Sequence, residues 1–83
     1  MDAEALLFEL GKVADKLGIE LRFDALEAAG GLCVVRGKKL LLINRNMAAA
    51  EQAEIILNEL ARLKDIDDIY ILPEIRELLD ERR

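Results

Sequence analysis

Histidine and tryptophan are absent from the chain, and cysteine and proline occur once each. The missing histidine removes imidazole acid–base catalysis, Ser-His and Cys-His nucleophile pairs, and histidine-built zinc sites together. A lone Cys33 excludes an internal disulfide. With no leader-like segment at the start, it gives the expectation of a reducing, cytosolic setting. No apolar run approaches the ~18 residues of a membrane span, so no membrane partner is expected. The net charge of −5, from 17 acidic and 12 basic residues, argues against a general nucleic-acid binder, whose footprint is a basic stripe. Two short basic spots, Arg36-Gly37-Lys38-Lys39 and Arg82-Arg83, read as a solvated turn and a helix C-terminus.

Aromatic residues make up only 4% of the chain against 53% hydrophobic residues, so the core must be built from Leu, Ile, Val and Ala. The 83 residues amount to one domain, 1–83. At that size folding buries only about 60% of the unfolded surface. So much aliphatic surface is hard to hide in so small a domain, and a partner surface is a natural place for the excess.

Leu6, Leu7, Leu10, Val13, Ala14 and Leu17 recur at helical spacing over 3–17, and Gly18 stops that helix. Gly11 inside it costs stability relative to alanine, which suggests a close packing contact there. In IELRFD, Ile19, Leu21 and Phe23 face in while Glu20, Arg22 and Asp24 face out, the pattern of a half-exposed edge strand. A loop is expected over Glu27-Ala28-Ala29-Gly30-Gly31. LCVV and KLLLIN then flank a hairpin turn around Gly37. Both of those strands are apolar on both faces, which predicts cover on each side: the chain's own helices on one, a second subunit on the other. Asn46 is placed to cap a helix from about Ala48 to Lys64. Asp65 to Asp68 reads as a polar connection and 69–72 as a short extended piece. Pro73 opens a last helix whose seam is Ile75, Leu78 and Leu79. The expected fold is α+β, ordered α-β-β-β-α-α: a small antiparallel sheet of three strands, or four with 69–72. An N-terminal helix and a long central helix pack on it, and a short C-terminal helix docks last.

The central helix carries the stretch ILNELARL, 56–63. Ala49, Ala53, Ile56, Leu60 and Leu63 form one stripe, and Ile55 and Leu57 widen the apolar arc to roughly 200°, twice what one core needs. Asn58 and Arg62 lie opposite, one turn apart. The segments LGIELRFD (17–24), GGLCVVRGKKLLLIN (30–44) and NELAR (58–62) together resemble the N-terminal half of small zinc-peptidase-like domains of the ImmA/IrrE type. Those domains follow a hairpin with a helix bearing H-E-x-x-H. The resemblance implies a zincin-like scaffold in which Asn58 and Arg62 occupy the two zinc-ligand positions and Glu59 the general-base position. A neutral amide and a fixed cation cannot hold a dication as two imidazoles do. The degenerate motif therefore predicts no catalytic residues, no metal and no cofactor. Without a role, Asn58, Glu59 and Arg62 are a polar helix face with a Glu59–Arg62 pair.

Other candidate chemistry is sparse. Asp65-Ile66-Asp67-Asp68 lacks the glycine and distant glutamate of a calcium loop, and Gly30-Gly31 lies in no phosphate-loop frame. Cys33 reads as a small buried hydrophobe. Tyr70 suits either an interface anchor or a cap on the core beside Pro73. The leading expectation is a non-catalytic interaction module that forms a homodimer, with Leu41, Ile43, Ile55, Leu57, Ile75, Leu78 and Leu79 at its interface. The alternatives are a hydrolase whose metal ligands come from a partner, and a regulatory partner of a DNA-binding protein. The resemblance implies the latter because peptidases of this type act on helix-turn-helix repressors.

Overall fold

Asp2 starts the first helix by accepting a hydrogen bond from the Ala5 amide at 2.8 Å, which satisfies one of the free donors of the opening turn. The computed structural model describes residues 1–25 and 30–83. Helix α1 spans Ala3–Lys16, and its buried face is Leu10, Val13 and Ala14. Strand β1 covers Ile19–Asp24, β2 Gly30–Val35 and β3 Lys38–Asn44. Helix α2 runs over Ala49–Ala61, a 3₁₀ turn over Lys64–Asp68, and helix α3 over Pro73–Asp80, with proline in its first turn. The α+β class and element order are those expected.

The sheet order is β1-β3-β2, with β2 antiparallel and β1 parallel to β3. The expectation of an antiparallel sheet is thus corrected to a mixed one. Residue alternation reports which face a side chain takes and is blind to strand direction. Residues 69–72 form no strand; Ile71 is buried and Tyr70 exposed in an extended approach to α3. Of the loop expected over 27–31, Glu27, Ala28 and Ala29 lie outside the described residues, while Gly30 and Gly31 belong to β2. Gly30 has φ 122°, and a Cβ there would overlap the Leu42 carbonyl of β3, so only glycine lets the two strands approach. The β2–β3 hairpin pairs Val35 with Lys38 across Arg36 and Gly37, whose φ values of 54° and 81° make the tight primed turn.

Ile19, Leu41 and Ile43 face the helices and join Leu10, Ile56, Leu57, Leu60, Ile66, Ile75 and Leu79 in one core. Helix α2 contacts α1, β2, β3 and α3, so several neighbours share its wide apolar arc. The opposite sheet face carries Cys33, Val35, Leu40 and Leu42, none of which joins that core. Leu40 is nevertheless only 7% exposed, because it sits in register between Glu20 and Cys33. Being the central strand, and not a second covering layer, accounts for much of the two-faced apolarity of β3.

Two helix ends differ from expectation. Ala48, not Asn46, precedes α2; the Asn46 amide instead donates to the Asn44 side-chain oxygen at 3.0 Å. Buried Gln52 donates to the Asn44 carbonyl at 3.0 Å and ties the start of α2 to the end of β3. Helix α2 also stops at Ala61, short of the expected Lys64, because the chain turns extended at Leu63 to bury Ile66.

Candidate functional site

Asn58, Glu59 and Arg62 lie on the solvent side of α2. Arg62 pairs with Glu59 at 3.6 Å, one turn apart, and no pocket described below includes any of the three. Among the described residues, no group of three His, Cys, Asp or Glu side chains is arranged to hold a metal ion. No helix among them is long and apolar enough to cross a membrane. The Asp65–Asp68 segment is a 3₁₀ turn whose Asp67 carboxylate accepts two bonds from Arg83, at 2.6 and 2.7 Å. Arg83 holds the Asp67 carboxyl below its usual range.

Five of the seven residues expected at an interface are core. Leu41, Ile43, Leu57, Ile75 and Leu79 are each at most 2% exposed and pack within the chain, which takes them off the surface as the structure stands. Ile55 and Leu78 keep partial exposure. The wide arc that prompted the expectation is filled by α1, the sheet and α3.

The surface instead carries the aromatic residues. Phe8, Phe23 and Tyr70 are 67%, 41% and 68% exposed, and with no tryptophan they are all the aromatic side chains there are. Tyr70 therefore caps no core; Lys16 sits over its ring, 5.6 Å from the centroid, and donates to its carbonyl at 3.0 Å. The two phenylalanines face one groove of about 690 Å³ between α1 and β1. Leu7, Phe8, Gly11 and Asp15 form its helix wall, and Ile19, Leu21 and Phe23 its strand wall. Gly11 makes none of the close contacts that its place in a helix suggested: a Cβ there would meet nothing within 4 Å. Among the described residues β1 pairs with β3 on one side only, and the groove flanks the free sheet edge this leaves.

The charges lining the groove are balanced, with Lys12 and Lys38 against Asp15 and Glu20. Lys38 meets Glu20 at 3.0 Å and Arg22 meets it at 2.9 Å. Those two hydrogen bonds, Lys38 first, lower the Glu20 pKa and keep it a carboxylate. Two smaller hollows lie elsewhere, one beside Tyr70 and Ile75, the other between Met1, Leu6 and Leu78. The alternation of IELRFD located the strand wall in the sequence. The helix wall was missed because Leu7 reads as part of the apolar seam of α1 while Phe8 lies outside that seam and has no role in its pattern, and nothing local told which side of the seam faces the core. No family model, no curated protein and no solved structure matches the chain.

Proposed function

We propose that the chain is a non-catalytic, cytosolic protein-interaction module on a degenerate zincin-like scaffold, and that it self-associates through the groove between α1 and β1. The observation that carries this reading is the exposure of both phenylalanines at one free sheet edge. Aromatic side chains dominate interface energetics when buried and contribute little to stability when left in water. An edge strand also offers a row of unpaired backbone donors and acceptors to another chain. A second copy fits better than a basic partner, because the chain's −5 charge is not concentrated here and the groove lining carries two residues of each sign. The order helix–strand–hairpin–helix over 3–61 supports the scaffold part of the reading, and the single unpaired Cys33 the cytosolic part.

Sedimentation equilibrium at micromolar concentrations, with zinc determined on the same sample, tests it. The expected result is a metal-free species of twice the 9.3 kDa chain mass. A concentration-independent monomer refutes self-association, and stoichiometric zinc refutes the non-catalytic reading and returns attention to Glu59.

A further inference from the structure

Given the self-association proposed above, the order of charges along β1 restricts how two copies can meet. Two β1 strands that pair antiparallel about a two-fold axis normal to the sheet keep inward-facing residues opposite inward-facing ones. Four such registers centre on Glu20, Leu21, Arg22 or Phe23. The last sets Arg22 against Asp24 but, like the one centred on Glu20, pairs only three β1 residues of each copy, where those centred on Leu21 and Arg22 pair five. Centring on Arg22 sets Arg22 against Arg22 and Glu20 against Asp24, both like-charged. Centring on Glu20 sets Glu20 against itself. Centring on Leu21 sets Glu20 of each copy against Arg22 of the other, twice, and Ile19 against Phe23, twice. Unlike charges and aromatic–aliphatic pairs directly opposite are favourable in antiparallel ladders, and like charges are not.

We infer that two copies join through β1 in the register centred on Leu21, merging two three-stranded sheets into one of six strands. In this arrangement both free β1 edges are consumed. Each Phe23 moves beside Ile19 of the other copy, at the strand wall of the groove that Leu7 and Phe8 close from the helix side. The bare flank of α1 at Gly11 leaves room along that wall. On the outward face, Glu20 and Arg22, already paired in cis at 2.9 Å, become a four-charge ring across the two-fold axis. The opposite sheet edge, β2, carries no charged residue to select a register, and no pocket described above includes any β2 residue.

Charge-swap variants and a register-specific cross-link test this arrangement, both read beside the wild-type mass. Arg22→Glu and Glu20→Arg should each weaken the dimer by about tenfold or more, since each turns two attractive pairs repulsive. The double variant Glu20→Arg/Arg22→Glu should stay dimeric, as should an equimolar mixture of the two single variants. In a Cys33→Ser background, Leu21→Cys should form a disulfide-linked dimer on oxidation. Phe23→Cys should not, because its two copies would sit about 14 Å apart. A wild-type dimer whose mass ignores the charge variants, or which cross-links through position 23 and not 21, overturns the register while self-association stands. A wild-type monomer overturns both.

Discussion

Removing the guanidinium of Arg76 should detach the C-terminal helix from the turn that precedes it. From α3, Arg76 Nη2 donates to the carbonyls of Ile66 and Ile69, at 3.1 Å each, while Nη1 reaches the Asp67 carboxylate at 3.2 Å. The side chain is only 25% exposed and Asp67 is 52% exposed, so the two carbonyl bonds should carry most of the effect. A hydrogen bond with one charged partner contributes about 1.5–3 kcal/mol when well buried. Partial hydration lowers that to about 1 kcal/mol per carbonyl, and the exposed Asp67 contact adds little. Arg76→Ala should therefore cost about 2 kcal/mol, a fall in Tm of roughly 8–16 °C for a domain of this size. Urea and thermal denaturation at one fixed protein concentration measure it. Arg76→Lys should recover less than half, because a single ammonium cannot reproduce the planar fork. The loss should persist at about 0.5 M salt, since the main acceptors are neutral carbonyls. A loss below about 0.5 kcal/mol, or a lysine variant as stable as wild type, would refute the reasoning.

Gly30→Ala should destabilise by about 3 kcal/mol or more in urea titration, from positive φ combined with overlap onto the Leu42 carbonyl. Ile66→Ala should cost about 3 kcal/mol by the same assay, although the residue lies in what the sequence suggests is a polar connection, because it is fully buried. Gly11→Ala should instead stabilise the fold by about 0.5–1 kcal/mol at dilute concentration, since the new methyl meets nothing and the helix gains propensity. Asp67→Asn should be less stable than wild type at neutral pH and should converge with it in acid. The Asp67 pKa is lowered in the folded chain, so its contribution is present above the unfolded value near 4 and is lost as pH falls through the lower folded value. A difference that grows in acid would contradict that assignment.

The parts of the fold written in local chemistry were readable. Helix α1, the turn at Gly37 and the proline-led α3 each depend on a few neighbouring residues, and the structure places them where periodicity and turn chemistry do. What was not readable depends on partners far along the chain. Arg83 meets Asp67 across sixteen residues and Arg82 meets Glu54 at 2.6 Å across twenty-eight, and no spacing rule relates either pair. The burial of five expected interface residues within the chain has a related reason. A 200° apolar arc on α2 is surplus only if the helix has one neighbour, and it has four. Two-faced apolarity in β3 likewise has two origins, a second covering layer or a strand on each side, and sequence cannot separate them.

The distribution of aromatic residues then bears on where this chain has surface to spare. A core built from leucine, isoleucine and valine closes without a single aromatic ring, although rings bury the most apolar area per residue. The two phenylalanines lie on neighbouring elements, one on α1 and one at the far end of β1, and meet at the same groove. Phe23 is in phase with Ile19 and Leu21, so it points toward the helix side, yet it is 41% exposed because its strand is an edge. A strand added beside β1 would bury that ring without changing the phase of any residue. The charges of IELRFD would guard the edge against indiscriminate pairing, because the registers centred on Glu20, Arg22 and Asp24 each set like charges opposite each other. Of the two registers that pair five residues of each strand, only the one centred on Leu21 sets unlike charges opposite. An edge protected against every partner would have no need to expose both rings, whereas an edge reserved for its own copy would need both the rings and the charges.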